Sequence, residues 1–141
     1  MNFVPFNYED HGEYVKKMTR AVYCQDTKGI VAMKDGEPVG VMLCDMWTHN
    51  SVQAHIGLST PMCLKHGMLE EFFNWVFNVC DRNQILGLLP SNNLKSIKLV
   101  KHLGFTELTR LPDAVNFGID YVVFRMFKDE CSYIKQLEEA A

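Results

Sequence analysis

Residues 85–105, ILGLLPSNNLKSIKLVKHLGF, carry the reading that decides the fold. Ile85-Leu86-Gly87-Leu88-Leu89 is apolar without alternation and predicts a wholly buried strand of the kind found inside a mixed sheet. Pro90-Ser91-Asn92 stops that strand and offers capping groups. Asn93 to Leu103 then sets Leu94, Ile97, Val100 and Leu103 at helical spacing. Gly104 ends the helix, because glycine enters the left-handed C-terminal conformation without a Cβ penalty, and Phe105 to Leu108 reads as the next strand. A strand, helix and strand in such close succession belong to a sheet that carries helices on its faces.

Upstream, a second helical period follows Pro61. Leu69, Phe72, Phe73, Val76, Phe77 and Cys80 recur at three and four residues, while Glu70, Glu71 and Asn74 fall on the opposite face. Before it come three strands. Gly29 to Lys34 and Val39 to Asp45 flank Asp35-Gly36-Glu37-Pro38, whose glycine accepts positive φ, which predicts a β-hairpin. Ser51 to Leu58 alternates Val52, Ala54 and Ile56 with Ser51, Gln53 and His55 and completes a meander. Residues 9–22 place Tyr14, Val15, Met18 and Val22 at helical spacing. Downstream, a loop holding Pro112, Asp113 and Gly118 leads to a last strand, Tyr121 to Phe127, and Ser132 to Ala140 reads as a short helix. The predicted class is α/β (α+β), a mixed central sheet flanked by helices on both faces.

The 141 residues are expected to form one domain, 1–141, with a single core. With 14 Lys+Arg against 17 Asp+Glu the formal charge is −3 and the lysines are scattered singly, which argues against a nucleic-acid partner. No uncharged apolar run reaches the roughly 18 residues of a spanning helix, and no basic, then apolar, stretch opens the chain. No membrane or secretory role is therefore expected. The five cysteines form no C-x-x-C pair and no finger-like spacing with histidine. That pattern leaves no metal site and no disulfide framework, and it fits a reduced, cytoplasmic setting.

Asn93 to Phe105 also resembles the N-x-x-A-x-x-L-Y-x-K-x-G-F signature of the GNAT superfamily of N-acetyltransferases, with Ser96 in the small-residue position and Leu99, Gly104 and Phe105 matching. The order of elements around it is similar as well, and Asp120 to Cys131 resembles the close of small bacteriophage and prophage members. The resemblance implies a GNAT-like fold and acetyl-CoA as cofactor. It also implies transfer of an acetyl group to a primary amine of a small molecule or protein by direct attack, in the host cytoplasm if the chain is phage-encoded. Pyrophosphate is best held by free N–H groups at a helix N-terminus, which the resemblance places at Lys65, His66, Gly67 and Met68. The strand end Leu58-Ser59 and Asn93 complete the implied cofactor site. The family loop Q/R-x-x-G-x-G/A has Leu64, Gly67 and Leu69 at its three marked positions here, with Lys65 supplying a charge. Val100 stands where many members carry a general-acid tyrosine, and valine transfers no proton.

Acetyl transfer needs the amine deprotonated before attack, so a group titrating near neutrality is the natural base. His55, facing away from Val52, Ala54 and Ile56, is the candidate, and Tyr121 is a substitute acid on a neighbouring strand. Asp45 and His49 flank the same region, and Asp45 or Asp113 would suit a cationic amine. Cys131 has no paired base at a recognisable spacing, and Trp47 and Trp75 read as core. Asn93 reads either as the N-cap of its helix alone or, as the resemblance implies, as a cofactor-side residue. A second reading stays open: a GNAT-fold structural, virion-associated or host-interaction protein whose partner is a phage or host protein. Pairing of two copies into a homodimer through the C-terminal strands also stays open.

Overall fold

The computed structural model describes residues 1–134. Seven strands form one sheet: β1 (Asn2–Pro5), β2 (Lys28–Lys34), β3 (Glu37–Asp45), β4 (Ser51–Leu58), β5 (Gln84–Pro90), β6 (Thr106–Asn116) and β7 (Ile119–Phe127), in the order β1-β2-β3-β4-β5-β7-β6. The helices are α1 (Tyr8–Met18), α2 (Met68–Asn74), which a π-helical turn, Trp75–Val79, continues, and α3 (Leu94–Leu103). The predicted hairpin and meander are present. Asp35 and Gly36 both take positive φ, 52° and 78°, the backbone of a two-residue type I′ turn. All pairings are antiparallel except β4 with β5.

Helices cover both faces, as the apolar periods predict. On one face Val15 of α1 packs on Val31, Val41 and Leu43. On the other, Phe72, Phe73 and Phe77 from α2 and its continuation, with Ile97 and Leu103 of α3, pack on Met42, Val52 and Phe124. Trp47 and Trp75 are half-buried against this larger core and meet edge to face, with centroids 5.7 Å apart.

Several elements depart from expectation for identifiable reasons. Helix α1 stops at Met18 instead of continuing to residue 22. Thr19 leaves the helical region (φ −132°, ψ 169°), and both its N–H and its hydroxyl bond the Val15 carbonyl, so the helix end is satisfied there and Val22 lies 79% exposed. Strand β1 has no counterpart in the sequence reading. It is an edge strand that tolerates Pro5 because its outer side needs no donor. Pro38, expected to sit in the turn, pairs with Met33 where the β2–β3 register shifts. The predicted loop around Pro112 and Asp113 is largely strand. As the sheet edge, β6 runs to Asn116 with two register shifts, and Asp113 (φ 55°) accepts from the Gly118 N–H to close the hairpin. Strand β5 is not wholly buried, since Leu86 to Leu89 are only half-covered. Residues 132–134 form a turn, with Tyr133 stacked on Phe73 at 5.4 Å. The rest of the predicted tail helix lies outside the described residues.

Candidate active site

The half-burial of β5 follows from the one parallel pairing in the sheet. Ser51–Gln84, Val52–Ile85 and Gln53–Leu86 are the paired residues, and beyond them β4 and β5 diverge. From Ala54 to Leu58, β4 is paired only with β3, so its other edge offers free backbone groups. A cavity of about 310 Å3 opens in the gap, walled by Ala54 to Ile56, Gly87 to Pro90 and α3 residues including Asn93, Ser96 and Val100. A second cavity of about 490 Å3 runs on between the end of β4, the loop that follows it, and α3. The two share Met18, Ile56, Ser96 and Leu99 in their walls.

His55 enters the first cavity from the α1 side. It pairs in register with Leu43, so it shares the face of Leu43 and Asp45. Its Nε2 lies 3.0 and 2.9 Å from the two carboxylate oxygens of Asp45, with side chains 18% and 11% exposed. A carboxylate only accepts, so Nε2–H donates and Nδ1 is left as the nitrogen able to take a proton. Asp45, the last residue of β3, is thus already engaged rather than free to receive a cationic amine. It orients His55 directly. His49 is exposed in the turn before β4.

Close packing of α1 on β4 sets the cavity mouth. A Cβ built on Gly57 would lie 2.7 Å from Met18 Cβ and 3.0 Å from the Met18 carbonyl oxygen, so only glycine lets the helix end come this near. The Tyr14 hydroxyl meets the Ser59 hydroxyl at 2.6 Å and ties α1 to the end of β4. Burial outweighs that bond and holds the Tyr14 phenol above its usual value.

Between β4 and α2, Thr60 accepts from the Met62 N–H and caps a short 3-10 turn, Pro61–Lys65. Gly67 (φ +90°) then turns the chain into α2, whose first N–H groups have no intrahelical partner. Leu58, Ser59 and Leu64 line the second cavity. Lys65 and His66 are exposed, and the Met68 side chain is buried in the core. The Asn93 side chain accepts from the Ser96 N–H at 3.3 Å, the N-cap bond, and the residue also lines the first cavity. Tyr121 pairs with Pro90 and Leu111 on β7 and lines neither cavity.

The arrangement is a sheet split at one parallel pair, with a loop and helix start at one end of the gap and a carboxylate-held imidazole at the other. Solved structures with the same build include acetyltransferases. Spermidine/spermine N-acetyltransferase SpeG from Vibrio cholerae superposes with a TM-score of 0.73 at 11% identity, covering 91% of this chain and 92% of that one. A protein of Streptococcus mutans superposes with a TM-score of 0.73 at 17% identity, over 91% and 99% of the two chains. A third, described as a putative GNAT-family acetyltransferase of Desulfovibrio desulfuricans, has a TM-score of 0.65 at 14% identity, over 73% and 70%. The fold is that of the GNAT acetyltransferases. No family model and no curated protein sequence matches the chain. At these identities the likeness establishes the GNAT architecture and leaves the chemistry to the residues themselves.

Among the described residues, no helix is long and apolar enough to cross a membrane, and no group of three or more His, Cys, Asp or Glu is placed to hold a metal ion. Sequence reading overlooked the cationic lining. Lys95, Lys98 and His102 line the second cavity, and Lys17 and Arg20 the first. The α3 set was visible as a basic stripe, with Lys95, Lys98 and His102 at spacings of three and four on the side away from Ile97. Lys17 and Arg20 carried no such signal, because their relation to His55 depends on where α1 docks.

Proposed function

We propose that the chain is an acetyl-CoA-dependent N-acetyltransferase that delivers its acetyl group to the primary amine of a small molecule by direct attack, with His55 as general base. One observation carries the reading: an imidazole clamped by a buried carboxylate lines the gap left where β4 parts from β5. The residues present suit coenzyme A. The unpaired edge of β4 through Leu58 and Ser59 can pair with pantetheine amides as an added strand would. The N–H groups of Gly67 and Met68 at the start of α2 suit pyrophosphate, with the exposed side chains of Lys65 and His66 beside them. Lys95, Lys98 and His102 add positive charge along the second cavity, and Asn93 borders the path between the two.

Acetyl-CoA supplies, when bound, an electrophilic thioester carbonyl and a thiolate leaving group. The work of the chain is then to desolvate, orient and deprotonate the amine. His55 accepts that proton at Nδ1 while Asp45 holds Nε2–H and stabilises the imidazolium that forms. Val100 and Leu99 keep the wall apolar, and five cysteines without a C-x-x-C pair suit a reducing, cytoplasmic setting.

Isothermal titration of acetyl-CoA and of CoA into the purified protein tests the reading, with micromolar binding at one site per chain expected. Ligand at about 100 times Kd should add about 2.7 kcal/mol to stability. Gly67→Glu should abolish binding, whereas Gly67→Ala carries the same left-handed strain without the charge and should retain it. Absence of binding up to millimolar ligand would overturn the proposal.

A further inference from the structure

The chain is acidic overall, at −3, yet every formally charged residue lining the two joined cavities is a cation. Those at the far cavity, Lys95 and Lys98, face the part of the gap read above as the nucleotide end. Lys17 and Arg20 line the His55 cavity instead, and neither lines the other one. They sit on the last turn of α1 and just beyond it, held there by the contact of Met18 with Gly57 and by the Tyr14–Ser59 bond. Neither forms an ion pair among the described residues. Asp45, on the same side of the sheet as His55, is already engaged by that histidine. Arg20 also borders, with Glu9 and Glu13, a neighbouring hollow of about 650 Å3 between α1 and the segment after it, which includes neither Lys17 nor His55.

We infer that the acceptor is an amine carrying its own anionic group, a carboxylate or a phosphate, which Lys17 and Arg20 hold while the amino group meets His55. The inference rests on the acetyltransferase reading and makes its acceptor site specific. An unpaired ammonium and guanidinium at the mouth of a half-desolvated cavity attract an anion and repel a polycation. An acceptor such as a polyamine, which SpeG is named for, would bring two or more positive charges to a wall that offers no carboxylate to receive them. Arginine adds a planar fork suited to carboxylate or phosphate oxygens.

The test compares matched amines with acetyl-CoA at saturation: β-alanine with β-alaninamide, phosphoethanolamine with ethanolamine, and spermidine as the polycation. Anionic members are expected to exceed their neutral partners by about tenfold or more in kcat/KM, and the better pair identifies carboxylate or phosphate. Lys17→Glu and Arg20→Glu should each erase that preference, raising KM for the acceptor more than they lower kcat, while the Kd for CoA stays within about twofold. In parallel, the CoA-bound protein is titrated with the same amines and the His55 ring and Arg20 Nε resonances are followed. Anionic amines should shift both, and spermidine neither. Preferred acetylation or binding of spermidine overturns the inference, as does CoA binding with no response to any anionic amine. Failure to bind CoA instead removes the acetyltransferase reading, and the amine titration of the free protein still decides whether Lys17 and Arg20 select anions.

Discussion

Replacing Asp45 by Asn separates orientation from charge at the candidate base. Both carboxylate oxygens lie within 3.0 Å of His55 Nε2, and the pair is largely sequestered from solvent. The amide oxygen of Asn can still accept from Nε2–H, so the neutral imidazole keeps its place and its tautomer. Stabilisation of the imidazolium formed as the amine loses its proton is what disappears. A hydrogen bond to a charged group is worth about 1.5–3 kcal/mol and a neutral one about 0.5–1.5, so the exchange forfeits about 1–1.5 kcal/mol. At about 1.36 kcal/mol per tenfold, Asp45→Asn should therefore lower kcat by about five- to twelvefold. The Kd for acetyl-CoA, whose proposed site uses other walls, should be unchanged. His55→Ala should cost at least as much, and the double variant no more than His55→Ala alone, because the two residues act as one unit. Turnover is followed by chromatographic quantification of CoA, since the protein's own thiols would react with a colorimetric reagent, and melting temperatures are compared alongside. A wild-type kcat in Asp45→Asn, or fully additive losses in the double variant, would refute the assignment of His55 as an Asp45-assisted base.

Four further outcomes are expected. Gly57→Ala should destabilise the fold by about 1–2 kcal/mol net, since overpacking against Met18 exceeds the loop-entropy benefit of removing a glycine. An unchanged melting temperature would mean that α1 yields freely. Lys95→Glu combined with Lys98→Glu should weaken CoA binding by tenfold or more (about 0.7 kcal/mol or more per reversed charge) and flatten its salt dependence, with little change in stability. Tyr121→Phe should leave kcat within about twofold, because Tyr121 lines neither cavity, and a loss beyond about tenfold would give it the acid role. Cys44, Cys63 and Cys131, whose thiols burial pushes above the ordinary cysteine value, should resist alkylation in the native protein, whereas exposed Cys24 should be modified first, as peptide mapping would register.

Much of this architecture follows from local patterns. The Asp35-Gly36 turn, the alternation in Ser51–Leu58 and the three- and four-residue spacings from Leu69 to Phe77 are each dictated by backbone sterics or by one buried face. The interactions that decide them lie within a few residues, so a single chain reveals them. Asn93 is a similar case, because capping is a local hydrogen bond that sequence spacing can show. Edge elements were harder to read. Nothing within Asn2–Pro5 or around Pro112 compels a strand, and both segments become strands because a neighbouring strand offers its unpaired groups.

The candidate site lies at the other extreme. His55 stands out in the sequence as a lone histidine on the polar side of a strand, and Asp45 as a polar residue at a strand end. Only the antiparallel register of β3 on β4 sets the two side by side. Likewise Lys17 and Arg20 become part of a cavity wall because Gly57 lets α1 dock closely, and the cavity exists because β4 and β5 pair for three residues and then part. The sequence by itself determined the central elements, their order and which face of each is buried, since these are set by bonds and contacts between near neighbours. The tertiary structure alone decided which polar groups meet, because such meetings join residues far apart in the chain and depend on the register and divergence of strands that no local pattern encodes.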